Sequence, residues 1–396
     1  MRRPIVVPLL LIASAIIAHA ASTSDKVTIL DGKSFRSDIK EITEAGKVVF
    51  AGARDSIDLQ SLRHIRRHKK AQKAPADKQI VWLLGGGKVF ADSILISEGY
   101  FVIKSHALGK LRLPLRYVRG LQLPFETPNK SDIKAEFDRL MAPKNRADRV
   151  LARTDDDVKT VRCAVVSLTD KTLTVEYENE QREIRRDNVV AIVLAMTIEP
   201  PDRTGHCRVS LKDGSVIWGE MRKLKDNKMY LEAFPDQCIE MPWSNVHRID
   251  VRSKRMVFAS DLDPVAIQQR AIATYPWSYR KDQNVLDGPL ILAEQKYTKG
   301  LGVHAPCRLT YSIRQNYSTF AATIGIDEGM DGKGDCIFKV LGDGKVLFER
   351  RIRGEDKPHE IRVDISGHDR VTLAVEAGQN LDIGDNANWC EARFVQ

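Results

Sequence analysis

Apolar residues along most of this chain come in short runs of three to six positions, rich in β-branched and aromatic side chains and separated by Gly, Asp and Asn. Val48-Val49-Phe50, Tyr100-Phe101-Val102-Ile103, Leu173-Thr174-Val175 and Met229-Tyr230-Leu231 are examples. Runs of that length suit pleated strands, because a helix needs an apolar residue every three or four positions over a longer stretch. One segment breaks the pattern. Ile133, Phe137, Leu140 and Met141 fall at i, i+4, i+7 and i+8 after Ser131-Asp132 and before Pro143, which predicts one amphipathic helix capped by Ser131 or Asp132.

The strand runs recur as a unit with a turn at its head and an apolar couplet at its tail. The heads are Asp31-Gly32, Gly86-Gly87, Asp156-Asp157 and Asp213-Gly214; the tails end at Ile65, Leu121, Ile192 and Ile249. Head and tail stand 33, 34, 35 and 35 residues apart, a regularity that marks four copies of one supersecondary element. Four or five short strands cannot bury both faces as an open sheet, so each copy is expected to curl into a small barrel. The fourth copy, from Val209 to Ile249, resembles Sm-like and SH3-like barrels in its strand, Asp-Gly turn, Gly219 and late Val-x-x-Ile. Sm-like proteins bind RNA through loop residues that have no counterpart here, so that resemblance implies a fold only, and the copies read as spacers or contact modules. The expected divisions are β repeats at 21–73, 74–126, 149–199 and 200–256, with a helical linker at 127–148 acting as a strut between two barrel pairs.

From Arg308 onward seven strands follow with turns every eight to twelve residues, Gly342-Asp343-Gly344 making the tightest hairpin. Alternation in Leu309-Thr310-Tyr311-Ser312-Ile313 and Ile361-Arg362-Val363-Asp364-Ile365 puts one face inward, which predicts an antiparallel β-sandwich over 257–396. The expected fold class is mainly β: tandem barrel-like repeats with one linking helix, then a carboxyl-terminal jelly roll.

An ordered series of motifs in that last segment resembles the NPCBM family of carbohydrate-binding modules, which have galactose-binding-like jelly rolls. The residues are Ser260-Asp261-Leu262, the run Tyr297 to Ala305 containing Lys299-Gly300-Leu301-Gly302-Val303-His304, Phe320 to Asp327, Phe338-Lys339-Val340, Gly342 to Lys345, and Asp385 to Phe394. The resemblance implies binding of terminal, galactose-like sugars by a module of the kind often attached to glycoside hydrolases. Cys307, Cys336 and Cys390 and the Asn386 to Asn388 stretch depart from the family pattern, which leaves the sugar open.

A sugar asks for paired hydrogen-bonding groups beside an aromatic face. Two segments supply both: Tyr297, Lys299 and His304, on what reads as a glycine-rich loop, and Asp385, Asn388 and Trp389. Trp389 opens the last strand, where packing into the core is the stronger reading; His304 suits a core or a site equally. Asp327, Asp331 and Asp335 crowd a Gly-rich loop that reads first as a solvated turn, with a structural calcium as the alternative.

Charge and cysteine usage refine this picture. Arg2-Arg3, the apolar run Ile5 to Ala18 and Ala18-His19-Ala20 have the form of a cleaved export signal over 1–20, so a secreted or periplasmic address without a membrane span is expected. Residues 257–396 hold 17 Lys+Arg against 20 Asp+Glu, whereas the front carries about +12. The run Arg63, Arg66, Arg67, Lys69, Lys70 and Lys73 is the densest; it reads as a solvated linker, and any partner as an anionic envelope component rather than nucleic acid, since no aromatic residues are interleaved for base stacking. Six cysteines in an exported chain permit disulfides, with Cys207–Cys238 and Cys307–Cys390 as candidate pairs. No C-x-x-C, G-x-S-x-G, H-E-x-x-H or phosphate-loop spacing occurs, and Gly85-Gly86-Gly87-Lys88 lacks the Ser or Thr such a loop needs. A non-catalytic, glycan-binding protein is the expectation, and a structural or assembly protein using both halves for protein contacts is the alternative.

Overall fold

The computed structural model describes residues 24–52, 55–68, 78–125, 130–142, 146–154, 157–273, 277–314 and 316–396. The export signal, Lys69, Lys70, Lys73 and Asp156 lie outside these residues. Among the described residues the chain is mainly β, and its α-helix is Lys130–Leu140.

All four repeats share one wiring. The first strand of each pairs antiparallel with its last: Lys26–Ile29 with Leu62–Arg66, Gln79–Leu83 with Val118–Gln122, Asp148–Arg153 with Val189–Val193, and Cys207–Leu211 with Val246–Val251. A single 3-10 turn precedes every last strand, at Leu59–Ser61, Leu115–Tyr117, Arg186–Asn188 and Trp243–Asn245. The register slips in each of the four pairings, a bulge that increases the local twist. In the fourth repeat the Val-x-x-Ile spacing then points both Val246 and Ile249 into the core.

The repeats do not close as separate barrels, and they do not couple in the order in which they are strung. The last strands pair with one another, Ile65 facing Ile249 and Leu121 facing Ile192, which joins the first repeat to the fourth and the second to the third. An unpaired edge strand leaves a row of backbone donors and acceptors open; pairing two such edges satisfies them without closing either barrel. The result is a 22-stranded network over one apolar core that draws residues from all four copies. The helix is accordingly a cover rather than a strut. Ile133, Phe137 and Leu140 pack on Leu151, Val190, Ala191 and Val193 at the junction of the second and third repeats. Gly120 permits that approach, since a Cβ there would stand 2.9 Å from the Ile192 carbonyl oxygen and 3.3 Å from the Phe137 ring.

The tail is a sandwich of two antiparallel sheets. In one, Arg280–Lys281, Gly300–His304, Asn386–Val395, Thr319–Ile326 and His359–Asp364 lie side by side, with Met256–Phe258 on the Asn386–Val395 strand. In the other the order is Ala266–Gln269, Cys307–Ser312, Arg370–Ala377, Asp335–Gly342 and Lys345–Arg353. Tyr311, Phe320, Phe338, Trp389 and Phe394 fill the space between them.

All six cysteines are free, which corrects both candidate pairs. Cys207 is buried in the repeat core, whereas Cys238 is exposed on Gln237–Pro242. Cys307 faces the sandwich interior, but Cys390 sits with Leu290 and Leu292 in a separate cluster, on the far side of its sheet from neighbouring Trp389. The two cysteines stand on different sheets, and alternation turns Cys390 outward while Cys307 faces inward, so the sheet that carries Cys390 lies between the thiols, beyond disulfide reach.

The tail is seated on the first repeat through Arg393, whose residue is 4% exposed. Its Nε donates to the Leu30 carbonyl at 2.8 Å, and burial, with the Arg63 charge second, brings its pKa down to about 10. Arg63 pairs with Glu391, and Arg362 Nε donates to the Asp31 carbonyl at 2.7 Å. Gly32 completes the seat at φ +98°, where a Cβ would lie 2.9 Å from Arg393 Nη2. Removing one partner of a buried charged hydrogen bond costs about 1–3 kcal/mol. Arg393→Met is therefore expected to split thermal unfolding into two transitions and to open Ser253–Arg255 to trypsin; one unchanged cooperative transition would show that the seat contributes little.

Candidate functional site

The residues singled out in the tail fall at three separate places. Tyr297 and Lys299 precede the strand Gly300–His304, and His304 ends it; at about 3.4 Å per residue the ends of that strand lie more than 10 Å apart. Tyr297 packs on Leu290, Leu292 and Cys390, and burial pushes its hydroxyl up to about 12. Lys299 Nζ is held by Asp261 at 2.6 Å and Asp282 at 2.7 Å, so its charge is spent on a local clamp. The segment expected to be a ligand-facing loop is a buried strand. Its glycines make room for protein: a Cβ on Gly300 would stand 2.5 Å from the Trp389 carbonyl oxygen, and one on Gly302 would stand 2.5 Å from the Gln283 carbonyl oxygen.

Trp389 is 1% exposed and meets Phe320 and Phe338 edge-on, so it cannot offer its face to a sugar. Asn388 is buried and donates to Asp327 Oδ2 at 2.6 Å. Asp385 is buried, and its Oδ1 accepts from the Asp335 backbone N–H at 2.7 Å. These two are supports beneath the surface. The carboxylates considered for calcium do not converge either. Asp327 Oδ1 accepts from the Gly329 N–H at 3.1 Å, Asp335 is engaged by Arg351 Nε at 2.6 Å and by the Gln379 N–H at 3.0 Å, and Asp331 stands in the left-handed region that ends a 3-10 turn. Among the described residues the His, Asp and Glu side chains close enough to share an ion are Asp25, Asp38 and His68, in the first repeat.

What the fold does bring together lies at the His304 end of the sandwich. His304 is 4% exposed, its Nδ1 has no hydrogen-bond partner, and burial lowers its pKa against the opposing pull of the Asp382 charge. It is therefore a neutral imidazole near pH 7, with one nitrogen donating and the other accepting. The Trp277 ring lies 6.5 Å from it, centroid to centroid, and is 40% exposed. Gln269 Nε2 donates to the Trp277 carbonyl, and buried Asp382 accepts from the Ile272 and Ala273 N–H groups at 2.8 and 2.9 Å. Ile272, Leu381 and Ile383 stand exposed around that carboxylate. An exposed indole with apolar neighbours makes a surface able to stack on a ring face, and the buried neutral imidazole packs beneath it. Trp277 went unnoticed in the sequence, although an aromatic residue beside Pro276, outside any alternating run, is the signal that would have found it.

Residues 255–395 match the family model described as NPCBM/NEW2 domain. The resemblance of the tail to that family is thus borne out over almost its whole length. A curated relative, "Putative endo-alpha-N-acetylgalactosaminidase" of Renibacterium salmoninarum, is 35% identical over 111 residues, which is 28% of this chain. The chain spans 7% of that protein's length. Among solved structures, a CBM51 module of Clostridium perfringens GH95 in complex with methyl-galactose is similar, with TM-score 0.33 and 23% identity over 35% of this chain and 99% of that one. The tandem CBM51 modules of the family 98 glycoside hydrolase Sp3GH98 of Streptococcus pneumoniae are similar with TM-score 0.32 and 14% identity, covering 93% of this chain and 87% of that one.

Beneath the rim, burial raises the Asp385 carboxyl to about 6 from its usual value near 4. A carboxyl that holds its proton more tightly when folded contributes stability at low pH that is lost as pH rises toward 6. Asp385→Asn mimics the protonated form, so the melting temperature of the variant minus that of the wild type is expected to grow from pH 4.5 to pH 7.5. The difference between the two proteins cancels the opposite trend of His304; a constant difference would place the Asp385 proton elsewhere.

Proposed function

We propose that the tail is a glycan-binding unit, that its contact surface is the Trp277–His304 rim, and that the protein acts by binding rather than by catalysis. The reading rests on one observation above the others: an exposed indole beside a buried neutral histidine, within the segment that matches the NPCBM/NEW2 model. Galactose-type sugars are the first candidates, given the methyl-galactose carried by the similar Clostridium module. Export by residues 1–20 would put the unit where such glycans occur. No helix among the described residues is long and apolar enough to cross a membrane. The acidic side chains near the rim are engaged in support: Asp382 holds Ile272 and Ala273, and Asp385 holds Asp335. A glycosidase instead needs two carboxyl groups about 5–9.5 Å apart facing an open cleft.

Titration of the full chain with methyl-galactoside, N-acetylglucosamine and N-acetylgalactosamine, together with a glycan array, tests this reading. Binding is expected to fall at least about tenfold in Trp277→Ala, a loss of ~1.4 kcal/mol. Lys299→Ala should leave affinity unchanged. A folded protein that binds no glycan, or a Trp277→Ala variant that binds like the wild type, would remove the basis for the rim.

A further inference from the structure

The first repeat carries a row of three cations, which its pairing with the fourth repeat extends to four. Across four neighbouring strands Arg36 faces Lys26, Lys26 faces Arg66, and Arg66 faces Arg248, each as a direct cross-strand partner. One residue along the strands, Phe35, Val27, Ile65 and Ile249 form the corresponding apolar row, packed into the repeat core. The basic row therefore points to solvent, and Arg36, Lys26 and Arg66 are all exposed. Directly opposed like charges on one sheet face repel, so such a row costs stability unless something else uses it.

Local acids neutralise only one end. Arg248 Nε donates to Asp250 Oδ1 at 2.7 Å, and Arg208 stands 3.7 Å from the same carboxylate. At the other end Arg36 donates to the Ser24 carbonyl at 3.2 Å, and Asp38 lies two residues beyond it along the chain. Among the described residues neither Lys26 nor Arg66 is in an ion pair. His64 stands two residues before Arg66 on the same strand; burial first, and then the charges of Arg248 and Arg63, depress its pKa to about 3.

We propose that the Arg36–Lys26–Arg66–Arg248 row is a binding site for an acidic polysaccharide, lying across the strands so that successive carboxylates or sulfates meet successive cations. Strands stand about 4.8 Å apart, so Arg36, Lys26 and Arg66 offer stepped positive charge across the strands, with Arg248 already shared with Asp250 at one end, and a linear chain of anionic sugars is complementary to that spacing. The row itself holds no aromatic side chain, which favours anionic sugars over single-stranded nucleic acid, whose bases seek rings to stack on. The site is independent of the rim in the tail, and either can exist without the other.

The test uses the full chain, with polygalacturonate and dextran sulfate as probes, neutral dextran as control and a 20-mer DNA duplex as the competing polyanion. Binding to the acidic polysaccharides, none to dextran and weaker binding to DNA are expected. Lys26→Gln with Arg66→Gln should lower affinity at least tenfold and flatten the dependence of log K on log salt by about two, since two fewer counterions are released. Lys159→Gln with Lys225→Gln makes the same change in net charge at exposed sites elsewhere and should leave affinity within about twofold. Equal losses in both double variants would reduce the effect to net charge and overturn the site. Tighter binding to DNA than to either polysaccharide would overturn the assignment of its ligand.

Discussion

An unpaired sheet edge is the constraint from which the rest of this molecule follows. Each repeat is too small to satisfy its last strand within itself, and the open donors and acceptors of that strand must find another strand. They find the last strand of another repeat, Ile65 against Ile249 and Leu121 against Ile192. Three consequences come from this choice of partner. The junction of the second and third repeats keeps an apolar outer surface, which the helix covers. The junction of the first and fourth aligns Arg66 with Arg248. The chain also leaves the fourth repeat beside the first, where Ser253 Oγ donates to the Gln60 carbonyl and Arg255 Nη1 donates to Ser61 Oγ at 2.9 Å. That delivers the tail onto the Asp31-Gly32 turn, where Arg393 reaches the Leu30 carbonyl.

Local pattern made the strands, the helix and the sandwich legible, because each is written in side-chain period and turn residues. The alternating runs 309–313 and 361–365 overlap the strands Cys307–Ser312 and His359–Asp364. The order of pairing was not legible. All four tails carry an apolar couplet around Val or Leu, so each is a chemically acceptable partner for any other, and the choice is made by packing among residues far apart along the chain. The helix shows the same limit: its apolar stripe was plain, but the surface it covers exists only once Val190 and Val193 have been brought to Leu151 and Gly120.

The candidate site divides along the same line. Tyr297, Lys299, His304, Asp385, Asn388 and Trp389 were chosen for chemistry, and sequence cannot say which face of a strand is covered. Gly300 and Gly302 suggested an open loop because glycine permits close approach; the approaching groups are the Trp389 carbonyl and residues 283–284 of the same chain. Trp389 and Trp277 are chemically alike, yet one is sealed between Phe320 and Phe338 and the other is partly exposed. Tertiary burial separates a core filler from an aromatic ring open to contact.

The polar residues under the rim show why such a surface holds its shape. Asp382 spends both oxygens on two successive backbone N–H groups, Asp327 ties Asn388 to Gly329, and Asp335 ties Arg351 to Gln379. Each bond restricts a loop that would otherwise lose conformational entropy when a ligand is bound, and a loop ordered in advance gives up less. The basic row needs no such bracing, because its residues stand on paired strands whose spacing the backbone sets. The two surfaces thus differ in what limits them. A sugar stacked on Trp277, as proposed, would be nearly insensitive to salt, whereas the proposed attraction to Lys26 and Arg66 would depend on screening, which at physiological ionic strength confines it to about 8 Å.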